Sequence, residues 1–139
     1  MAKVELIRNS FAKKFLTAMG IVPVARGKSD LKAIKCALKV LKDNDVLGIF
    51  PEGTRSKTGQ LLPFESGVTV LSSKTNTPIL PIYIHKNGIH PGHRVKVIAG
   101  KPFYITDIFN DLSTNEKIEE STEYLRKTIL DLKKQVENV

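Results

Sequence analysis

Apolar side chains recur along this chain with two different periods, and the changes between them mark out the elements. Residues 5–18 (ELIRNSFAKKFLTA) can place Leu6, Phe11, Phe15 and Ala18 on one face of an amphipathic helix, closed by Gly20 in a left-handed cap. Ile21 to Ala25 then reads as a short strand. Ser29 can cap a second helix whose positive end suits Asp30, and Leu31, Ile34, Leu38 and Leu41 repeat every three or four residues, which predicts a helix to about Asp43 with those four as its core face. The apolar run Val46 to Phe50 predicts a buried strand, stopped by Pro51. A short helix is predicted over Ser66 to Lys74, and a strand over Pro78 to Ile84 in which proline marks an irregularity or an edge. Arg94 to Ala99 alternates with period two, so its polar members should face water and its apolar ones the core. From about Thr114, Ile118, Thr122, Leu125, Ile129, Leu132 and Val136 form a heptad-like stripe. With about three heptads, a helix lying on the sheet is the first expectation and a dimeric coiled coil the second. The element order predicts an α/β sandwich, a mixed central sheet with helices on its faces.

Composition agrees with one domain over residues 1–139. The chain has 139 residues, 41% hydrophobic and 26% charged, enough apolar material for a core and unlike a disordered tail. Its single cysteine, Cys36, excludes an internal disulfide or a thiolate-rich metal site. His85, His90 and His93 read as loop histidines near a sheet edge, without a clear third ligand for a metal. The longest stretches without charge, Phe15 to Ala25 and Thr75 to His85, are shorter than the roughly 18 apolar residues of a spanning helix. Nothing after Met1 resembles a secretory signal, so the expected compartment is the cytoplasm.

Charge changes the picture further. The formal net charge is +8, and residues 1–60 hold 12 basic against 5 acidic side chains. Such asymmetry suits an anionic partner: nucleic acid, an anionic membrane surface, an acidic carrier protein or a phosphorylated small molecule. On the second predicted helix Lys32, Lys35, Lys39 and Lys42 share roughly a quarter of the circumference, which fits either a solvated face or an anion-facing surface. Cys36 borders them without a nearby His or Asp to activate its thiol. Aromatic residues are only 6%, Trp is absent, and no helix-turn-helix, zinc-finger or sheet-stacking signature occurs, which argues against nucleic acid.

The most specific segment is Phe50-Pro51-Glu52-Gly53-Thr54-Arg55-Ser56, directly after a predicted strand. In open α/β sheets ligands bind beyond the carboxyl ends of strands. Here Gly53 lets backbone approach an anion, Thr54 and Ser56 can donate hydrogen bonds, and Arg55 can clamp two phosphate oxygens. A bland alternative is a Glu52–Arg55 ion pair capping a turn. Gly48 to Arg55 has the glycine spacing of a P-loop, but Thr-Arg stands where Lys-Ser/Thr belongs, and Pro51 and Glu52 put a missing donor and a negative charge in the cradle.

That segment, followed by Phe64-Glu65-Ser66-Gly67 and Pro78-Ile79-Leu80-Pro81-Ile82 and preceded by Gly20-Ile21-Val22-Pro23-Val24-Ala25-Arg26-Gly27, closely resembles the 1-acyl-sn-glycerol-3-phosphate acyltransferase family of glycerolipid acyltransferases. The resemblance covers essentially the whole chain. It implies transfer of an acyl group from acyl-CoA or acyl carrier protein to lysophosphatidic acid, giving phosphatidic acid, with the thioester as co-substrate and no cofactor or metal. It implies that Arg26, Gly53, Thr54 and Arg55 bind the acceptor phosphate, that Glu52 shapes the same site, and that Pro81 belongs to a block supporting the fold and the acyl or membrane side. It also implies a peripheral place at the inner face of the cell membrane.

Two departures stand out. The family's general base comes from a His-x-x-x-x-Asp block ahead of the Arg-Gly block, and no histidine here has an aspartate five residues later. The expectation is therefore an N-terminally truncated copy of the family domain, its first part missing, with the phosphate site but negligible turnover. Between Phe64 and Gly67, where the family often carries a basic residue, this chain has Glu65-Ser66. The competing expectation is a non-catalytic module that holds anionic lipid or phosphate.

Overall fold

The computed structural model describes residues 2–3, 20, 23–24, 31–54, 56, 58, 60–85, 95–110 and 113–137. The expected helix over 5–18 and the Ser29 cap lie outside the described residues. By its internal contacts the chain divides into two compact units, Met1–Phe50 and Pro51–Val139.

In the first unit β1 (Ala2–Lys3) and β2 (Pro23–Val24) pair in parallel, Ala2 opposite Pro23 and Lys3 opposite Val24. Helix α1 (Leu31–Lys42) ends where the sequence suggested, for a reason that the periodicity does not contain. Asn44 takes a left-handed conformation (φ 59°), its N–H donates to Leu41 O and the Asp45 N–H donates to Val40 O, so two terminal carbonyls are satisfied in a Schellman arrangement. The face of α1 differs from expectation. Ala33 and Ala37 are buried, whereas Leu31 and Ile34 are 68% and 40% exposed. Alanine projects only a methyl group, so the closest-packed face carries the alanines and the larger side chains border it. The expected buried strand Val46 to Phe50 is also overturned: residues 45–50 join neither sheet, Val46 is 96% and Phe50 75% exposed, and only Leu47 and Ile49 are half-buried. An apolar run reads as a buried strand only if neighbouring strands take up its edges.

The second unit contains α2 (Gly67–Thr75), β3 (Ile82–Ile84), β4 (Val97–Ala99), α3 (Ile105–Ile108) and α4 (Thr114–Glu137). Strands β3 and β4 are antiparallel, with Ile82 opposite Ala99 and Ile84 opposite Val97. Ile79 and Phe103 extend the pairing as an isolated bridge, exchanging N–H···O bonds of 2.8 and 3.0 Å. Between bridge and ladder sits fully buried Pro81, which has no N–H to give but accepts the Gly100 N–H at 2.9 Å. Proline thus interrupts the strand, as its place in Pro78 to Ile84 suggested. The described residues form two two-stranded sheets, one parallel in the first unit and one antiparallel in the second.

Helix α4 lies against β3, β4 and α2. It buries Ser121, Leu125, Ile129, Leu132 and Val136, so most of the predicted stripe faces inward. Leu125 and Ile129 join Ile79 and Ile105 in the core, with Leu61, Phe64, Val68, Tyr83, Phe103 and Phe109 packed around them. The Tyr124 ring stands edge-on to Phe103 and Phe109, with centroids 5.0 and 5.8 Å apart. Buried Thr69 on α2 meets Thr122 of α4 through hydroxyls 2.8 Å apart and also donates to Ser66 O, which locks the two helices without an unpaired polar group. The alternation in Arg94 to Ala99 points the other way from expectation. Ile98, opposite Tyr83, is half-buried, and Val95 and Val97 are exposed. Burial of the Tyr83 ring against the α4 core fixes this register, and a strand's other face follows automatically.

Candidate functional site

Phe64 and Leu61 pack against the core and hold the downstream arm of the loop that leads from Pro51 to α2. Its two arms are tied twice. The Glu65 N–H donates to Pro51 O at 2.8 Å, and the Leu62 N–H donates to Glu52 Oε2 at 2.8 Å. Glu52 is half-buried and turned back onto the loop's own backbone, so its carboxylate closes the loop.

At the tip Gly53 adopts φ 62°, a left-handed conformation that L side chains rarely take, and the Thr54 N–H donates to Glu52 O at 2.7 Å. A Cβ at Gly53 would stand 3.5 Å from Glu65 Cγ, so space is adequate and the positive φ is what calls for glycine. The turn leaves Gly53 and Thr54 exposed. Because the Thr54 N–H is committed to Glu52, its hydroxyl is the group it offers an anion. Ser56 Oγ lies 3.3 Å from Thr58 Oγ1, which accepts the Gln60 N–H at 3.4 Å, so the far side of the loop is organised by hydroxyls.

Of the residues expected to hold a phosphate, Glu52, Gly53 and Thr54 therefore come together in one turn, whereas Arg26 and Arg55 lie outside the described residues. The role of Leu62 as the backbone partner of Glu52 was not visible in the sequence: ten residues separate them, and no local spacing rule links them. Glu65 is exposed and its side-chain stem lies beside Gly53, so a second acidic residue adjoins the tip. Of the three histidines, His85 follows β3, donates its backbone N–H to Lys96 O at 2.9 Å and sets its ring edge-on to Tyr83; His90 and His93 lie outside the described residues. Among the described residues no group of three or more His, Cys, Asp or Glu side chains could hold a metal. Burial, and secondarily the negative charge of Glu137, pushes the Tyr83 hydroxyl above its ordinary pKa. Pro81, fully buried, has the fold-supporting place expected of its block.

Comparison with known proteins gives a consistent result. A family model described as Acyltransferase matches residues 1–85. The 1-acyl-sn-glycerol-3-phosphate acyltransferase of Bacillus subtilis is 30% identical over 144 residues, covering all of this chain and 70% of that protein. The chloroplastic 1-acyl-sn-glycerol-3-phosphate acyltransferase BAT2 of Brassica napus is 34% identical over 76% of this chain, a match spanning only 34% of that protein. The crystal structure of the 1-acyl-sn-glycerophosphate (LPA) acyltransferase PlsC from Thermotoga maritima superposes on 95% of this chain with a TM-score of 0.66 at 24% identity, and the chain spans 55% of it, a likeness of fold.

Proposed function

This chain belongs to the acyltransferase family, among the 1-acyl-sn-glycerol-3-phosphate acyltransferases, and on that premise we propose that its Pro51 to Ser56 loop binds the phosphate of lysophosphatidic acid. The observation that carries the reading is the closed turn at Glu52 to Thr54: the one carboxylate inside the motif is turned onto the Leu62 N–H, and Gly53 and the Thr54 hydroxyl stand at the exposed tip. Arg55, next in sequence, brings a guanidinium able to clamp two phosphate oxygens. Glu65 beside Gly53 lowers affinity for the doubly charged phosphate. The fold that goes with this reading is an α/β sandwich with a mixed central sheet, and the place of action is the inner face of the cell membrane.

The reaction is acyl transfer. The acceptor hydroxyl attacks the thioester carbonyl of acyl-CoA or acyl carrier protein, an ester C–O bond forms, the C–S bond breaks, and the hydroxyl proton leaves to a base and finally to the departing thiolate. A positioned general base contributes about 10²–10⁴-fold. These 139 residues contain no His-x-x-x-x-Asp, which favours, for the chain by itself, the non-catalytic module: it holds the acceptor by its phosphate and does not acylate it.

Calorimetric titration with short-chain lysophosphatidic acid below its aggregation concentration, against the matching monoacylglycerol, tests the phosphate site. Binding is expected for the first ligand only, with a loss of about tenfold or more in Thr54→Ala combined with Arg55→Gln, as one or two charge-assisted hydrogen bonds imply. Equal binding of both ligands, or indifference to the double substitution, would contradict the assignment.

A further inference from the structure

We propose that the phosphate site takes a second class of acceptor besides the phosphate monoester, a lysophospholipid whose singly charged phosphate bears a primary ammonium, and that Glu65 binds that cation. This deepens the phosphate-site reading above and rests on it. Glu65 stands where the loop runs into α2. Its N–H donates to Pro51 O at 2.8 Å, and its side-chain stem lies 3.5 Å from where a Cβ on Gly53 would be, so it is held beside the tip formed by Gly53 and Thr54 while its side chain is exposed. The two acidic residues of the loop are used differently. The Glu52 carboxylate accepts the Leu62 N–H, whereas that of Glu65 has no hydrogen-bond or ion-pair partner among the described residues. Glu65 is thus the acidic side chain left free next to the tip.

Charge chooses the ligand. Over residues 51–66 the sequence holds Glu52 and Glu65 against Arg55 and Lys57, a formal balance of zero. A phosphate monoester is close to doubly charged at neutral pH, and a free acidic residue beside it opposes binding. A phosphodiester keeps a single negative charge. When it is an ethanolamine ester, a primary ammonium follows two carbons beyond the phosphate, so anion and cation on the ligand meet a phosphate-binding tip and a carboxylate on the protein. The ammonium can also donate hydrogen bonds to that carboxylate, a charge-assisted contact. A divalent cation bridging Glu65 and a monoester would neutralise the site as well. Among the described residues, however, no group of three or more His, Cys, Asp or Glu side chains could hold one, so the metal would depend on one carboxylate and the lipid alone. An ammonium needs only the one carboxylate.

The test is calorimetric titration of the whole chain with short-chain lysophosphatidylethanolamine, lysophosphatidylglycerol, lysophosphatidic acid and monoacylglycerol, each below its aggregation concentration, at low and high salt. Ethanolamine and glycerol head groups leave the same singly charged phosphate, so the difference between them reports the ammonium. The wild-type chain is expected to bind the ethanolamine lipid about fivefold tighter than the glycerol lipid at low salt, the upper range of an exposed ion pair, and the preference should shrink at high salt. Glu65→Gln should erase the preference and tighten lysophosphatidic acid by a similar factor, while Glu65→Asp should keep the preference. The bond from Glu65 to Pro51 O is made by the backbone and is open to both variants, and circular dichroism checks that they fold. Equal binding of the ethanolamine and glycerol lipids by the wild-type chain, or a preference that Glu65→Gln retains, would overturn the role of Glu65 and leave the phosphate site standing. Phospholipid binding no tighter than that of monoacylglycerol would overturn both. Lysophosphatidic acid binding that magnesium strengthens in the wild-type chain but not in Glu65→Gln, without an ethanolamine preference, would put a metal in place of the ammonium.

Discussion

Replacing Glu52 by alanine removes the side chain that ties together the two arms of the loop leading from Pro51 to α2. Its Oε2 accepts the Leu62 N–H at 2.8 Å, a short bond to a charged acceptor, and Glu52 and Leu62 are both half-buried. Hydrogen bonds to charged groups contribute about 1.5–3 kcal/mol. Water can reach a half-buried amide, so the lower end applies, and the expected loss is about 1–1.5 kcal/mol, or roughly tenfold in the local opening equilibrium. Amide hydrogen exchange reads this residue by residue. In Glu52→Ala the Leu62 amide should exchange about ten times faster, the Glu65 amide should follow because its bond to Pro51 O closes the same loop, and amides in the centre of α4 should hardly change. Glu52→Gln separates shape from charge, since the amide oxygen can accept the same bond, and should recover most of the protection. Unchanged Leu62 exchange in Glu52→Ala would refute the view that this carboxylate closes the loop. Full loss in Glu52→Gln would show that charge, not acceptor geometry, is what matters.

Other outcomes can be measured by denaturant or thermal unfolding. Gly100→Ala places a Cβ 3.0 Å from Pro81 Cγ and 3.4 Å from Leu132 Cδ1, in contact with one fully buried and one buried side chain, and should cost about 1–3 kcal/mol in urea unfolding. Thr69→Val and Thr122→Val should each destabilise by about 1–2 kcal/mol, and the double variant should cost less than their sum, because the second substitution removes a hydroxyl that the first left without its cross-helix partner. Ser113 donates its hydroxyl and its N–H to Glu116 at the start of α4, which holds that carboxyl below its ordinary value near 4.5. Its contribution is therefore present above about pH 4.5 and lost as pH falls through the depressed folded-state value, so Glu116→Gln should show a shallower fall of Tm in acid.

What the sequence disclosed and what it withheld divide along physical lines. Helix α4 was readable because it turns one apolar face to a core within its own unit, whereas two of the three buried side chains of α2, Thr69 and Ser72, are polar; the Pro78 to Ile84 strand was readable together with its flaw, since a proline interrupts a ladder where its missing N–H would be needed. The faces of α1 and β4 were misjudged because hydrophobicity identifies apolar stripes but not what packs on them. Alanines take the buried face of α1, and the partnership of Ile98 with Tyr83 decides which side of β4 turns inward. Val46 to Phe50 misled for a related reason, that a strand is a property of its neighbours as much as of its own residues. The Ser113-Glu116 capping pair is a local signature that spacing alone could have supplied. At the candidate site residue type disclosed the freedom of the backbone at Gly53 and the hydroxyl of Thr54, whereas the ten-residue reach from Glu52 to Leu62 exists only once Leu61 and Phe64 are anchored in the core.

The central claim is that this chain holds the acceptor phosphate and by itself does not transfer an acyl group. One experiment addresses it directly: saturate the protein with lysophosphatidic acid, establish occupancy by titration, then add acyl-CoA to the same sample and follow release of the free thiol. Phosphate-dependent binding with thiol release no faster than in the protein-free control is the predicted result. Release at an enzymatic rate, or absence of phosphate-dependent binding, would contradict the account.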